Sequence, residues 1–129
     1  MESLKISTGL ISVRIVDDNG NERGIFSFNP TDIKVARKVN DLIEEYEKKQ
    51  IEFAEKEKQC TTTEDRIRLL DEVVDYFKTS IDEVWGENSS KVLFGNASTF
   101  EMFDDFFAGI TPYYQKESKK RMSKYEKKK

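Results

Sequence analysis

Histidine is absent from this chain. The commonest general base and the commonest metal ligand are therefore both missing, which excludes a Ser-His-Asp triad, a Cys–His pair and a conventional zinc site. The lone cysteine, Cys60, has no partner for an internal disulfide and fits a reducing compartment. Apolar residues make up 36% of the chain, no more than the charged ones, and no stretch approaches the roughly 20 apolar residues of a membrane span. The start, MESLKIS, lacks the basic-then-apolar order of a signal peptide, so a cytoplasmic location is expected. An enzyme would have to run on carboxylates alone. No enzymatic activity, cofactor or metal is expected.

What is present is charge, unevenly spread. Residues 116–129 carry eight Lys/Arg against two Glu, while the other 115 residues carry 14 basic against 23 acidic groups. An acidic body with a cationic tail suits binding better than catalysis. The low mean hydropathy suits long helices with one buried stripe and wide solvated faces.

The pattern along the chain predicts an α+β fold, predominantly helical, with one domain over 1–115 and a basic, partly disordered tail over 116–129. Ile11, Val13 and Ile15 alternate with Ser12 and Arg14, and Phe26 and Phe28 flank Ser27, so 4–28 reads as a β-hairpin turning at Asn19-Gly20. Leu4 and Ile6 extend the first strand or form a short third one. A helix over about 30–58 follows, capped by Asn29 or Thr31, with Ala36, Val39, Ile43, Tyr46, Gln50 and Phe53 on one side. Its highly charged second half reads as a protruding arm or as a helix completed by another chain. Thr63 is placed to cap a second helix over 64–85, whose stripe is Ile67, Leu70, Val74, Phe77, Ile81 and Val84, with Gly86 as its stop. These two helices form an antiparallel hairpin. A short apolar turn of helix around Val92–Phe94 ends at Gly95. A third helix spans 98–109, capped by Ser98 or Thr99. A fourth, over 111–122, either restarts at Thr111-Pro112 or continues the third with a kink.

Motifs suggestive of chemistry weaken on inspection. Asp17-Asp18-Asn19-Gly20 resembles the start of a calcium loop, but the positions for Gly and for the closing Glu hold Glu22 and Phe28, so a hairpin turn is the better reading. Gly86-Glu87-Asn88-Ser89-Ser90-Lys91 lacks the second Gly and the final Ser/Thr of a phosphate loop. Glu44/Glu45, Asp71/Glu72 and Asp104/Asp105 are adjacent on helices and so point about 100° apart, which makes none of them a dyad.

The candidate partner-binding set is aromatic: Phe100, Phe103, Phe106, Phe107, Tyr113 and Tyr114 spread over more than one helix face. Phe103 and Phe107 are expected to fill the core, leaving Phe106 and at least one tyrosine as surface anchors. The basic-tail candidates are Lys116, Lys119, Lys120, Arg121 and Lys124. They suit an acidic protein partner, such as the body of a neighbouring subunit, or a phosphate backbone, or they form a solvated end that binds nothing specific. A small nucleic-acid-binding regulator is therefore the alternative function, although the acidic body would repel nucleic acid.

The order WGENSSKVLFGNASTFEMFDDFFAGITPYYQKESKKRMSKY resembles the small tail-assembly chaperones of long-tailed phages and prophages of Gram-positive bacteria. The resemblance rests on Trp85-Gly86-Glu87, Phe94-Gly95-Asn96, the aromatic run Phe103–Phe107 and Thr111-Pro112-Tyr113. Asn88 departs from it, standing where the family often has Gly. The resemblance implies a protein of the host bacterial cytoplasm that coats the tape-measure protein, keeps it soluble and brings tail-tube subunits to it. It also implies self-association and a longer form made by programmed frameshifting, for which Lys127-Lys128-Lys129 is the candidate slip site.

Overall fold

The computed structural model describes residues 1–126, with side chains through Met122. The element order is β1 (Ile11–Val16), β2 (Glu22–Phe28), α1 (Ile33–Gln59), α2 (Thr63–Trp85), α3 (Ser89–Phe94) and α4 (Phe100–Glu126). This is the predicted α+β, predominantly helical arrangement of an N-terminal hairpin followed by helices.

β1 and β2 pair antiparallel, with Ile11 opposite Phe28 and Val13 opposite Phe26, and the register slips between Ile15 and Val16. The turn forms where the Asn-Gly pair predicts it. Asp17 Oδ1 accepts from the backbone N–H groups of Asn19 and Asn21, both at 2.9 Å. Those amides, Asn21 foremost, hold the Asp17 carboxyl below its usual range. The carboxylate is thus committed to the turn.

Leu4 and Ile6 form no strand; residues 1–10 have no regular structure. Gly9 shows why. It sits at φ +83°, and a Cβ there would collide with Thr31. Asn29 Nδ2 and Thr31 Oγ1 both donate to the Thr8 carbonyl, fastening the chain out of line with β1. Asn29 and Thr31 are occupied in this way, so Asp32 caps α1 instead, accepting from Lys34 and Val35, and the helix starts at residue 33 rather than 30. Thr62, one residue before the predicted cap, accepts from Asp65 at the start of α2. Thr99 accepts from Met102 at the start of α4.

One contiguous core unites all the helices with β2. Phe77, Ile81 and Phe103 have no exposed surface, and Leu42, Tyr46, Val74, Phe94 and Phe107 are also buried. The predicted stripes pack as seams only near this core. Ile51 and Ile67, towards the α1–α2 turn, remain exposed. The short α3 is held by Asp82, whose carboxylate accepts from the Ser90 backbone N–H at 2.7 Å and from its hydroxyl at 3.1 Å. Arg23 reaches from β2 to the Leu93 carbonyl at 3.5 Å, joining hairpin and helix.

The third and fourth helices of the sequence reading are one helix. α4 runs through Pro112 and continues into the basic region as far as Glu126. Proline deprives the Ala108 carbonyl of its helical donor, but both residues are exposed, where water can take the donor's place. Thr111 Oγ1 also donates to the Phe107 carbonyl at 2.6 Å. Packing on either side of the proline holds the axis: Phe107 and Ile110 are buried, and Tyr114 lies against Trp85 and Phe28. The basic residues up to 126 are therefore a helical extension of the body, not a separate tail. Lys127–Lys129 lie outside the described residues.

Candidate functional site

The six aromatic candidates separate once packed. Phe103 has no exposed surface and touches Tyr46, Phe77 and Phe94; Phe107 is buried beside Tyr46. Neither leaves surface for a partner to meet, so both drop from the partner-binding set. Phe100 is half-buried on α1, its ring 5.1 Å from that of Phe53. Phe106 is half-buried in an edge-to-face cluster with Trp85 at 5.1 Å and Phe26 at 5.8 Å. Tyr114 is half-buried, and its hydroxyl accepts weakly from Trp85 Nε1 at 3.4 Å. Tyr113 alone is exposed, its ring edge-on to Phe28 at 5.2 Å.

Phe106 and Tyr113 meet in a groove between the hairpin and α4. Val13 and Ile15 of β1 form one wall, Ile110 and Tyr113 the other, over a floor of Phe26 and Phe28. It encloses about 270 Å³ and has a single charged lining residue, Asp105. Phe26 and Phe28 are buried under the sheet, while Ile11, Val13 and Ile15 on the same face are only half-buried. The outer half of the hairpin thus overhangs the helix without filling the space beneath it. Gly109 also lines this space, and a Cβ added there would meet nothing within 4 Å. Glycine in a helix interior costs about 0.5–1 kcal/mol relative to alanine. No crowding inside the molecule requires it; it keeps the groove open.

Val13, Ile15 and Gly109 were not among the predicted site residues. The strand alternation shows that Val13 and Ile15 share an inward face, but not which helix that face meets.

The basic candidates Lys116, Lys119 and Lys120 are exposed and Arg121 is half-buried; Lys124 lies on the same helix. The paired carboxylates diverge into separate interactions. Asn40 donates to Glu44, Tyr76 donates to Glu45, and Tyr46 donates to Asp104 at 2.7 Å. Among the described residues no group of three or more Cys, Asp or Glu is placed to hold a metal ion, and no helix is long and apolar enough to cross a membrane.

The Tyr46–Asp104 pair ties α1 to α4 beneath the aromatic set. Burial, then the hydrogen bond to the Asp104 carboxylate, raise the Tyr46 hydroxyl well above its ordinary value of about 10. Burial likewise raises Tyr114, and the Glu45 bond raises Tyr76. A folded-state pKa above the unfolded value contributes stability that is complete below the unfolded pKa and lost as pH rises through the folded one. The expected result is stability that changes little on this account up to about pH 9.5 and falls steadily above it. Tyr46→Phe removes much of that slope and costs about 1–3 kcal/mol at neutral pH, because Asp104 loses a charge-assisted partner. Urea midpoints between pH 8 and 11.5 measure both effects, and an unchanged slope in the variant would show that Tyr46 is not the main contributor.

Residues 19–129 match a family of unknown function, DUF6673. No curated protein and no solved structure matches the chain.

Proposed function

The chain belongs to the DUF6673 family, and we propose that it is a tail assembly chaperone of a long-tailed phage or prophage. In this reading it binds the tape-measure protein, holds an apolar helical segment of it in the groove between β1 and α4, and helps recruit tail-tube subunits. The observation that carries the binding site is Gly109, a helix-disfavouring residue with open space above it on the wall of an almost wholly apolar groove. An amphipathic helix laid in such a groove buries its apolar stripe while its charged face stays in water. The identity of the client rests on the resemblance of residues 85–125. A holdase needs weak apolar contacts and a soluble exterior, and both are present: the groove is apolar and the body carries an excess of acid. The chain is read as a binding protein without enzymatic activity.

Filling the groove separates this role from folding. Gly109→Leu places a side chain in open space on a helix that glycine destabilises, so the melting temperature is expected to hold or rise. Wild-type protein co-expressed with a tape-measure fragment is expected to keep the fragment soluble and co-purify with it, and Gly109→Leu to lose at least about tenfold in affinity. A well-folded Gly109→Leu variant that retains the fragment as the wild type does would overturn the groove as the client site.

A further inference from the structure

The face of α4 turned away from the core has a charge pattern that shares only Asp105 with the proposed client groove. Glu101, Asp105, Ala108, Pro112, Lys116 and Lys119 recur at spacings of four, three, four, four and three, so they lie in one stripe, and every one is exposed. The burial of Phe103, Phe107 and Ile110 on the opposite side fixes the direction of that stripe. Asp104 is not part of it, being turned towards Tyr46. Among the described residues no ion pair involves the stripe's acids or lysines.

The charges are ordered about a centre. Glu101 and Lys119 stand nine residues on either side of Ile110, Asp105 and Lys116 five and six residues, and Ala108 and Pro112 two. An antiparallel copy of the same helix, related by a two-fold axis at Ile110, sets every acid opposite a lysine. Glu101 of each copy faces Lys119 of the other, and Asp105 faces Lys116. The short side chains of Ala108 and Pro112 meet at the waist, where bulk would hold the axes apart. Such a face is complementary to itself, as an isologous contact requires. A parallel copy would set acid on acid and lysine on lysine. The charged span from residue 101 to 119 is about 27 Å long, and the helical continuation of α4 into the basic region makes it rigid.

We propose that two copies of this chain dock through the outward faces of their α4 helices, antiparallel, with Glu101 and Asp105 of one against Lys119 and Lys116 of the other. The contact is polar, so the dimer is salt-sensitive. It requires no client and stands whether or not the groove binds one.

Sedimentation velocity on the full chain tests this with two charge-reversed variants, E101K/D105K and K116E/K119E. The wild type is expected to dimerise at low salt and to weaken by on the order of tenfold between about 50 mM and 500 mM NaCl. Each variant alone turns all four juxtapositions repulsive and is expected to lose on the order of 10- to 100-fold in self-affinity. Mixed together, one variant presents lysine at all four stripe positions and the other presents acid at all four. The mixture is then expected to form a heterodimer at least as tight as the wild-type dimer. The replaced side chains are exposed, so circular dichroism of each variant should match the wild type. A wild type that stays monomeric at low salt, variants that dimerise unchanged, or a mixture that fails to pair would each overturn the proposal.

Discussion

Phe103→Ala is expected to lower the unfolding free energy by about 4 kcal/mol, and the melting temperature by roughly 15 °C. Phe103 has no exposed surface, and its ring lies 5.2 Å from Phe94 and 5.9 Å from both Tyr46 and Phe77. Those four rings come from α1, α2, α3 and α4, so truncation opens a cavity where all the helices meet. Backbone motion of one helix cannot close it. A domain of this size has about 5–15 kcal/mol of stability in all, and the variant stands near the limit of folding. Tyr113→Ala, ten residues along the same helix but exposed, is expected to cost less than about 1 kcal/mol. Urea unfolding followed through the single tryptophan, Trp85, reads both. Equal losses at the two positions would mean that the helix does not face the core as described.

Pro112→Ala should have the opposite sign, a gain of about 1–3 kcal/mol. A proline inside a helix costs about 3 kcal/mol relative to alanine. Part of that is returned because proline also restricts the unfolded chain, by about 0.4–1 kcal/mol. Pro112 is exposed, so its ring contributes little packing to set against the gain. The variant restores a donor to the Ala108 carbonyl. Thermal unfolding of Pro112→Ala beside Gly109→Ala measures how far α4 lies below its best stability. A drop in melting temperature for Pro112→Ala would show that the helix depends on the proline's geometry. Both residues border the surfaces proposed above, Gly109 the groove and Pro112 the waist of the outward stripe, and on those proposals stability is forgone there in exchange for shape.

The elements were legible to different degrees. The hairpin turn is legible in the sequence because Asn19-Gly20 and the alternation around it are local signals. The stops at Gly86 and Gly95 are local in the same way. Helix starts differ from the sequence expectation by one to three residues because several adjacent residues can cap. The choice fell to contacts from elsewhere, as when Thr8 engaged Asn29 and Thr31 and left Asp32 to cap α1. The sequence leaves open whether Pro112 restarts a helix or sits within a continuous one, and the structure has the continuous helix. A proline weakens a helix locally, but burial of Phe107 and Ile110 and the packing of the half-buried Tyr114 around it outweigh that cost. Among the aromatic candidates, spacing marked Phe103 and Phe107 as core, but not that β1 would overhang α4 and leave Tyr113 beside a groove.

By itself the sequence determined the inventory, the periodicities and the charge. Without histidine it limits catalysis, with its stripes it makes long amphipathic helices, and its basic end balances an acidic body. All of these follow from neighbours within about one helical turn or one strand pair. Only the tertiary structure decided which stripe faces which. It buried Phe103, opened the space above Gly109 and carried α4 unbroken into the basic region. That continuity puts Glu101, Asp105, Lys116 and Lys119 on one outward line. Such outcomes depend on how the hairpin and four helices share a single core, a competition among contacts distant in sequence that local pattern does not record.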